Sequence, residues 1–320
     1  MNSEVVLFDS NVLPVSGSLE SPFWLSVERL CQASGITACL PAIVVHECVN
    51  IRRNQFAAAA GKFVSAFKGI SRYFDAEPVY VPDVDEICRR WEEELRTQFE
   101  VLDTHGEDAI EALRREALRY TPASKGTGAR DSAIWLTALR LATSGSKVTL
   151  VSMNTNDFAL GKPSQLHPVL AAEAADLAGS VVYYASMDDF IDRIASPSDA
   201  PNLDTPQLVI TVGLELRDAT FAASAEDERF GELSAEQLGA ADLIILEVRS
   251  LRAYAIGTDG LALVDGRGRF AWSDREAAGL DELGFHFRAW LDFDLQSKIP
   301  VSGEIYSLQI DNTEPAGSVS

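Results

Sequence analysis

The amino-acid sequence predicts an α/β domain built on a central parallel sheet with a helical insertion, followed by a β-rich α+β domain. Three observations carry this. Apolar runs of strand length alternate with helical patterns over the first 195 residues. Beyond residue 207 the apolar period changes to two. Between them, Ser196 to Pro206 (SPSDAPNLDTP) is rich in Pro, Ser and Asp without apolar periodicity, so it reads as a linker. The expected organisation is therefore a first domain at 1–195, a linker at 196–206, a second domain at 207–313 and a flexible tail at 314–320.

Taken in order, Val5 to Phe8 is an apolar strand that Asp9 closes. Ser21 to Ser34 reads as a helix, and Thr37 to Leu40 as a short strand leading to Pro41 at a helix start. The helix from Ala42 carries Glu47 in its early turns. From Phe56 to Arg119 the pattern stays helical, with stretches such as RRWEEELR, and no strand is expected. Asp131 begins a further helix, with Ile134, Ala138 and Leu141 on one face. Val148 to Met153 and Val181 to Ala185 are the remaining strands, joined through a helix near Val169 to Leu177 and followed by one from Asp188 to Ile194. The near-continuous apolar runs VTLVSM and SVVYYAS fit strands buried on both faces.

In the second domain Leu208, Ile210, Val212, Leu214 and Leu216 alternate with other residues as in a half-buried strand. Phe285, Phe287, Ala289, Leu291, Phe293 and Leu295 do the same. VDGRGRFAW reads as a Gly-rich hairpin turn, and one helix is expected near Ser234 to Gly239.

Composition bounds the function. With 320 residues, 47% apolar and 23% charged, the chain reads as a folded protein of about two domains. No apolar stretch approaches the roughly 20 residues that span a bilayer, and MNSEVVLFDS lacks the basic start of a signal peptide. A cytoplasmic protein with no membrane partner is expected. Cys31, Cys39, Cys48 and Cys88 lack zinc or redox spacing and read as buried small side chains. The scattered His46, His105, His167 and His286 support neither a zinc cluster nor a triad, which leaves carboxylates to carry any chemistry.

The net charge of -21 argues against simple nucleic-acid binding, whose affinity comes largely from Lys and Arg on phosphates. Its distribution softens that objection, because residues 201–320 hold 21 acids against 9 bases. After Glu47, moreover, Arg52, Arg53, Lys62, Lys68 and Arg72 follow with no acid until Asp75. That stretch reads either as a phosphate-tracking surface or as a solvated helix face.

Four acidic or polar positions lie near strand ends or helix starts: Asp9 in DSNVLP, Glu47 in PAIVVHECVN, Asp131 in KGTGARDSAIWL, and Asn154 with Asp157 in VTLVSMNTNDF. Ligands of open α/β folds bind at the carboxyl ends of the strands. Two carboxylates 4 Å apart repel by about 4 kcal/mol at an effective dielectric of 20, so several of them converging require a cation. Mg²⁺ or Mn²⁺ fits all-oxygen ligands and needs no catalytic histidine. Asn11, two residues after Asp9, is placed to orient that carboxylate. Lys125, Gly126 and Gly128 form a loop entering a helix, where free N–H groups favour a phosphate, and Arg130 is a further phosphate contact. Taken singly, Asp9 also reads as a turn residue and Asp131 and Asp157 as helix caps, whereas Glu47 within an apolar helix needs a partner.

In order and context, these motifs resemble the acidic motifs of PIN-domain nucleases, and the KGTG loop with NTNDF resembles the PIN-like branch described as DUF4935. The resemblance covers about residues 4–195. It implies an α/β/α sandwich with a divalent-metal site that cleaves RNA, often as the toxin of a toxin–antitoxin pair. By position, Asp9, Glu47 and Asp131 match the acidic triad. Asn154 stands where many such nucleases have Asp, so Asp157 is carried as a further catalytic and metal-binding candidate. The other readings are a structure-specific DNA nuclease, a non-hydrolytic binding module and, ranked lower, a phosphatase-like domain with a lone Asp nucleophile. For the acidic second domain, contact with an antitoxin or other protein, cover over the site, and self-association remain open roles.

Overall fold

The structure, a computed structural model, describes residues 3–15, 17–73, 79–160, 165–226, 235–272 and 282–311. Asp75, Ser234 and the tail at 314–320 lie outside the described residues. The chain divides into two compact units, Met1–Leu19 with Ser34–Ile194, and Glu20–Ala33 with Ala195–Ser320.

The first unit is a parallel sheet of five strands in the order β3-β2-β1-β4-β5, flanked by helices. The strands are β1 (Glu4–Phe8), β2 (Ile36–Pro41), β3 (Glu100–Leu102), β4 (Lys147–Val151) and β5 (Ser180–Tyr184). β1 pairs with β2 on one side and β4 on the other, and its Val6, Leu7 and Phe8 are fully buried. Burying each such side chain contributes about 1.5–3 kcal/mol, so β1 anchors the sheet. The chain adds β2 and β3 on one side of β1 and then returns to lay β4 on the other. The order therefore reverses beside β1, the place where open α/β sheets leave a crevice.

The helices of this unit include α2 (Ala42–Ile70), α3 (Val84–Gln98), α4 (Gly106–Leu118), α5 (Ala129–Thr143), α6 (Thr155–Phe158), α7 (Pro168–Ala174) and α8 (Met187–Ile194). Pro41 caps α2 without a side-chain hydrogen bond, and Gly128 caps α5 with φ at 121°, a backbone that disfavours any side chain. Two expectations are corrected here. The stretch predicted to be helical throughout contains β3, three residues paired with the end of β2, too short to leave a periodic signal. β5 is not buried on both faces: it is an edge strand, Tyr183 is its one buried residue, and Val182 is 44% exposed. All four cysteines are free and buried, and burial pushes the thiols of Cys31, Cys39 and Cys48 up to about 12, where they are poor metal ligands.

The second unit holds α1 (Pro22–Ala33), α9 (Thr205–Glu226), α10 (Ala235–Ala240) and an antiparallel sheet in the order β10-β9-β8-β7-β6. Its strands are β6 (Ser196–Pro197), β7 (Asp242–Ile256), β8 (Asp259–Ala271), β9 (Glu282–Asp294) and β10 (Pro300–Ile310). β6 falls within the stretch read as a linker and pairs with β7. On β9, Phe285, Phe287, Ala289, Leu291 and Phe293 are buried, as their alternation predicts. Trp290 points to the opposite face, where Phe23 of α1 lies 5.3 Å away between ring centroids. Arg29 fixes α1 further through Asp259 and Asp292, each at 2.6 Å.

Residues Leu208 to Leu216 form part of helix α9, not a strand. Leu208, Val212 and Leu216 are buried while Ile210 and Leu214 are 77% and 81% exposed, so the true spacing is four rather than two. VDGRGRFA is likewise not a turn but the body of β8, whose reversal comes earlier, at Gly257 and Thr258. Its glycines sit opposite aromatic rings, Gly260 with Phe293, Gly266 with Phe287 and Gly268 with Phe285.

Candidate active site

Asp9 follows the last residue of β1, and its amide continues the ladder by donating to Val151 O at 3.0 Å. The carboxylate is buried, with 3% exposed, and is held on both oxygens. Oδ1 accepts from Ser10 N at 2.7 Å; Oδ2 accepts from Asn11 Nδ2 at 2.8 Å and Ser152 Oγ at 2.5 Å. Burial pushes this carboxyl above the usual carboxylate range and the charge of Glu47 adds to it, while the hydrogen bonds from Ser152, Ser10 and Asn11 oppose them.

Glu47 reaches the same place from the second turn of α2. Ser10 Oγ donates to Glu47 Oε2 at 3.0 Å and lies 3.5 Å from Asp9 Oδ1, so one hydroxyl bridges the two acids. The other oxygen, Oε1, is taken by Arg130. Asp131 sits in the first turn of α5, and its Oδ1 accepts from Asn154 Nδ2 at 3.1 Å. Burial and then the charge of Asp9 push the Asp131 carboxyl up to about 6, with Asp157 and Glu47 adding and the Asn154 bond opposing. Asp157, on the single turn α6, pairs with Lys125 at 3.5 Å.

The structure thus brings Asp9, Glu47, Asp131, Asn154 and Asp157 into one electrostatic neighbourhood, with Asn11, Lys125 and Arg130 bound to its members. Gly128 belongs to it for a steric reason, because a Cβ there would lie 3.3 Å from Asp131 Oδ2. The N-terminus of α5 is not wholly open to an anion, since Glu116 already accepts from Ala129 N at 2.8 Å. Arg52 and Arg53 are engaged elsewhere. Arg52 donates to Gly17 O at 2.9 Å with its guanidinium 4.0 Å from the Trp91 ring centre, and Arg53 pairs with Asp85 at 2.6 Å. Lys62, Lys68 and Arg72 are exposed on the distal half of α2 and the turn after it.

Sequence reasoning missed two hydroxyls. Ser10 links Asp9 to Glu47. Ser152 binds Asp9, accepts from Asn11 Nδ2 at 3.2 Å and from Asn154 N at 3.1 Å, and joins the end of β1 to the end of β4. Their signal is their position beside the acids in DSNVLP and LVSMNTNDF; serine is too common for composition to single it out. Ser152→Ala should cost about 1–3 kcal/mol in chemical denaturation, because it removes a donor from a buried carboxylate. An unchanged midpoint would show that the bond contributes nothing to the fold.

Metal fit rests on the chemistry of the donors. Carboxylate oxygens with one amide suit a hard divalent cation, and the Asp9 and Asp131 carboxyls, raised first by burial and further by neighbouring acids, are groups whose charged form added positive charge would favour. Among the described residues no three His, Cys, Asp or Glu side chains are disposed around one ion position. Three of the acids already have partners here: Arg130 pairs with Glu47, Lys125 with Asp157, and Asn154 donates to Asp131. The two cations are 61% and 60% exposed, so neither is locked in place.

Residues 6–158 match the family model of the PIN domain. The parallel five-stranded sheet with its flanking helices fits a PIN-like α/β/α fold. The matched segment runs from β1 through the turn that bears Asp157 and so spans every acid of the site. PIN domains are typically metal-dependent nucleases. No curated protein and no solved structure matches the chain.

Proposed function

We propose that the PIN-like domain is a divalent-metal-dependent endoribonuclease that hydrolyses RNA phosphodiester bonds. The observation that supports this best is the convergence of Asp9, Glu47, Asp131 and Asp157, from four separate chain segments, beside the strand-order reversal between β1 and β4. Those four, with Asn154, would hold Mg²⁺ or Mn²⁺, which when bound neutralises the carboxylates and supplies an activated water.

The remaining roles follow from the chain itself. Asn11, Ser10 and Ser152 fix the Asp9 carboxylate through three hydrogen bonds, so its oxygens need no reorganisation when a charge arrives. Asn154 contributes a neutral amide where a fifth carboxylate would add repulsion. Arg130 and Lys125, exposed and paired with site acids, are the groups that turn to the scissile phosphate when its negative charge competes for them. Lys62, Lys68 and Arg72 extend a positive surface along α2, and the acidity of residues 201–320 suits that unit to protein contact, an antitoxin among the candidates.

The test is cleavage of single-stranded RNA by the purified chain in Mn²⁺. Activity should vanish with excess chelator and fall at least about 10²-fold in Glu47→Gln, the size of effect expected when one electrostatic element leaves a prearranged site. Cleavage that survives both treatments would overturn the assignment. Flap DNA cut in preference to single-stranded RNA would instead favour the structure-specific DNA nuclease.

A further inference from the structure

The residue that ends α4 stands in an unusual conformation. Arg119 caps the helix with φ 56° and ψ 41°, a left-handed backbone for which glycine is the ordinary choice and any other L-residue costs roughly 1–2 kcal/mol. Its side chain is long, exposed and cationic, and has no acidic partner among the described residues. The guanidinium lies against the Lys125–Gly128 loop, where a Cβ on Gly126 would be 3.3 Å from Arg119 Nε.

On the other side Arg119 forms part of the wall of a cleft of about 390 Å³ between α4, the Tyr120–Thr121 turn and α7. The floor is rigid. Arg115 is buried there and bonded to Glu173 at 3.1 Å and Thr121 O at 3.2 Å, while Glu173 also accepts from Trp135 Nε1 at 2.8 Å. Arg114 is spoken for by Glu111 at 2.6 Å and lies 5.6 Å from the Tyr120 ring centre. Both acids of the cleft thus already have arginine partners, and Arg119 is left over. Tyr120 and Val169, 51% and 49% exposed, offer it apolar surface.

We propose that this cleft is a subsite for one nucleotide of a single-stranded RNA, lying one loop away from the acids. Its phosphate meets Arg119 and its base stacks on Tyr120, a combination of cation and aromatic face that binds single strands without reading sequence. The path between the two places is short and continuous: Asp131 abuts Gly128, and Gly126, two residues before it, abuts Arg119. The volume suits a single nucleotide rather than a duplex. This deepens the ribonuclease reading and takes from it only the identity of the strand.

The experiment is fluorescence anisotropy with a labelled oligoribonucleotide of eight residues, on the intact chain carrying Asp131→Asn to prevent turnover. Adding Arg119→Gly should weaken binding about ten-fold and flatten the salt dependence by about one phosphate contact, a log–log slope change of roughly 0.7. Tyr120→Ala should weaken binding by a similar factor without changing the salt slope. Arg119→Gly is a clean probe because glycine relieves the strained backbone, so its thermal midpoint should not fall. Arg119→Lys should restore the salt slope. Equal binding by parent and Arg119→Gly, or no binding by either, overturns the subsite. Loss of binding in a chain that never cleaves RNA upholds the subsite and defeats only the catalytic reading.

Discussion

Asp131→Asn should leave the protein inactive toward RNA and yet more stable at neutral pH. In the folded chain burial and then the charge of Asp9 hold the Asp131 carboxyl at about 6, against an ordinary value of 3.8 for a solvated aspartate. A raised folded value means that the native state binds the proton more tightly than the unfolded state does. Stability therefore falls as pH rises from about 4 to about 6, and the full penalty is present above that window. A displacement of about two units corresponds to about 3 kcal/mol. Asparagine carries no such penalty, and its Oδ1 can still accept from Asn154. Denaturation at pH 7 should show the variant more stable by about 1–3 kcal/mol, with the difference shrinking toward zero near pH 4. Mn²⁺ at a hundred times its dissociation constant should stabilise the parent by about 2.7 kcal/mol and the variant far less. A variant less stable at pH 7, or one equally stabilised by Mn²⁺, would mean that the carboxylate is not held under electrostatic stress for a cation.

That stress is only partly legible in the sequence. Asp9 and the Asn154–Asp157 pair can be found because each follows an apolar run of strand length, and Glu47 because an acid in an apolar helix start needs a partner. What no spacing reveals is who neutralises whom. Arg130 and Lys125 read as phosphate ligands, and in the folded chain they first serve as counter-ions to Glu47 and Asp157. Arg52 and Arg53 are read from charge alone, and charge does not tell that Trp91 and Asp85 lie beside them. The αL backbone of Arg119 has no signal at all, because arginine is not a turn residue.

The fold is legible where one period excludes the other. Phe285 to Phe293 skip single residues without break, which no helix face does. Leu208, Val212 and Leu216 satisfy a spacing of four and a spacing of two equally, because Ile210 and Leu214 fill the gaps with apolar side chains that are in fact exposed. Hydrophobicity at those two positions misleads the reading, and only the tertiary partner of α9 resolves it. The glycines of VDGRGRFAW mislead for the opposite reason. Glycine signals a turn when it supplies backbone freedom, whereas here it supplies empty space over a strand.

That space underlies the largest stability effect expected in the second unit. Gly266 faces Phe287 across the β8–β9 ladder, and a Cβ on Gly266 would lie 2.4 Å from the Phe287 ring, too close for any side chain unless the ring moves. The flanking pairs repeat the arrangement, with clearances of 2.2 Å at Gly260 against Phe293 and 2.6 Å at Gly268 against Phe285. Each ring lies over a strand segment that has no side chain of its own and shields it from water, as designed sheets do on purpose. Phe287→Ala should therefore cost about 3–5 kcal/mol, the range for removing a buried aromatic and leaving a cavity. Gly266→Val should cost about 1–3 kcal/mol by overpacking against the ring. The double variant is the decisive case, because a valine at 266 enters the volume that the missing ring vacates. Its cost should fall short of the sum of the single costs by about 0.5–3 kcal/mol, the coupling typical of residues in contact. Hydrogen exchange at the backbone amides of β8 and β9 reads these opening energies locally in the intact chain. Strict additivity would show that ring and glycine do not share that volume, and that the glycines of β8 answer to some other demand of the strand.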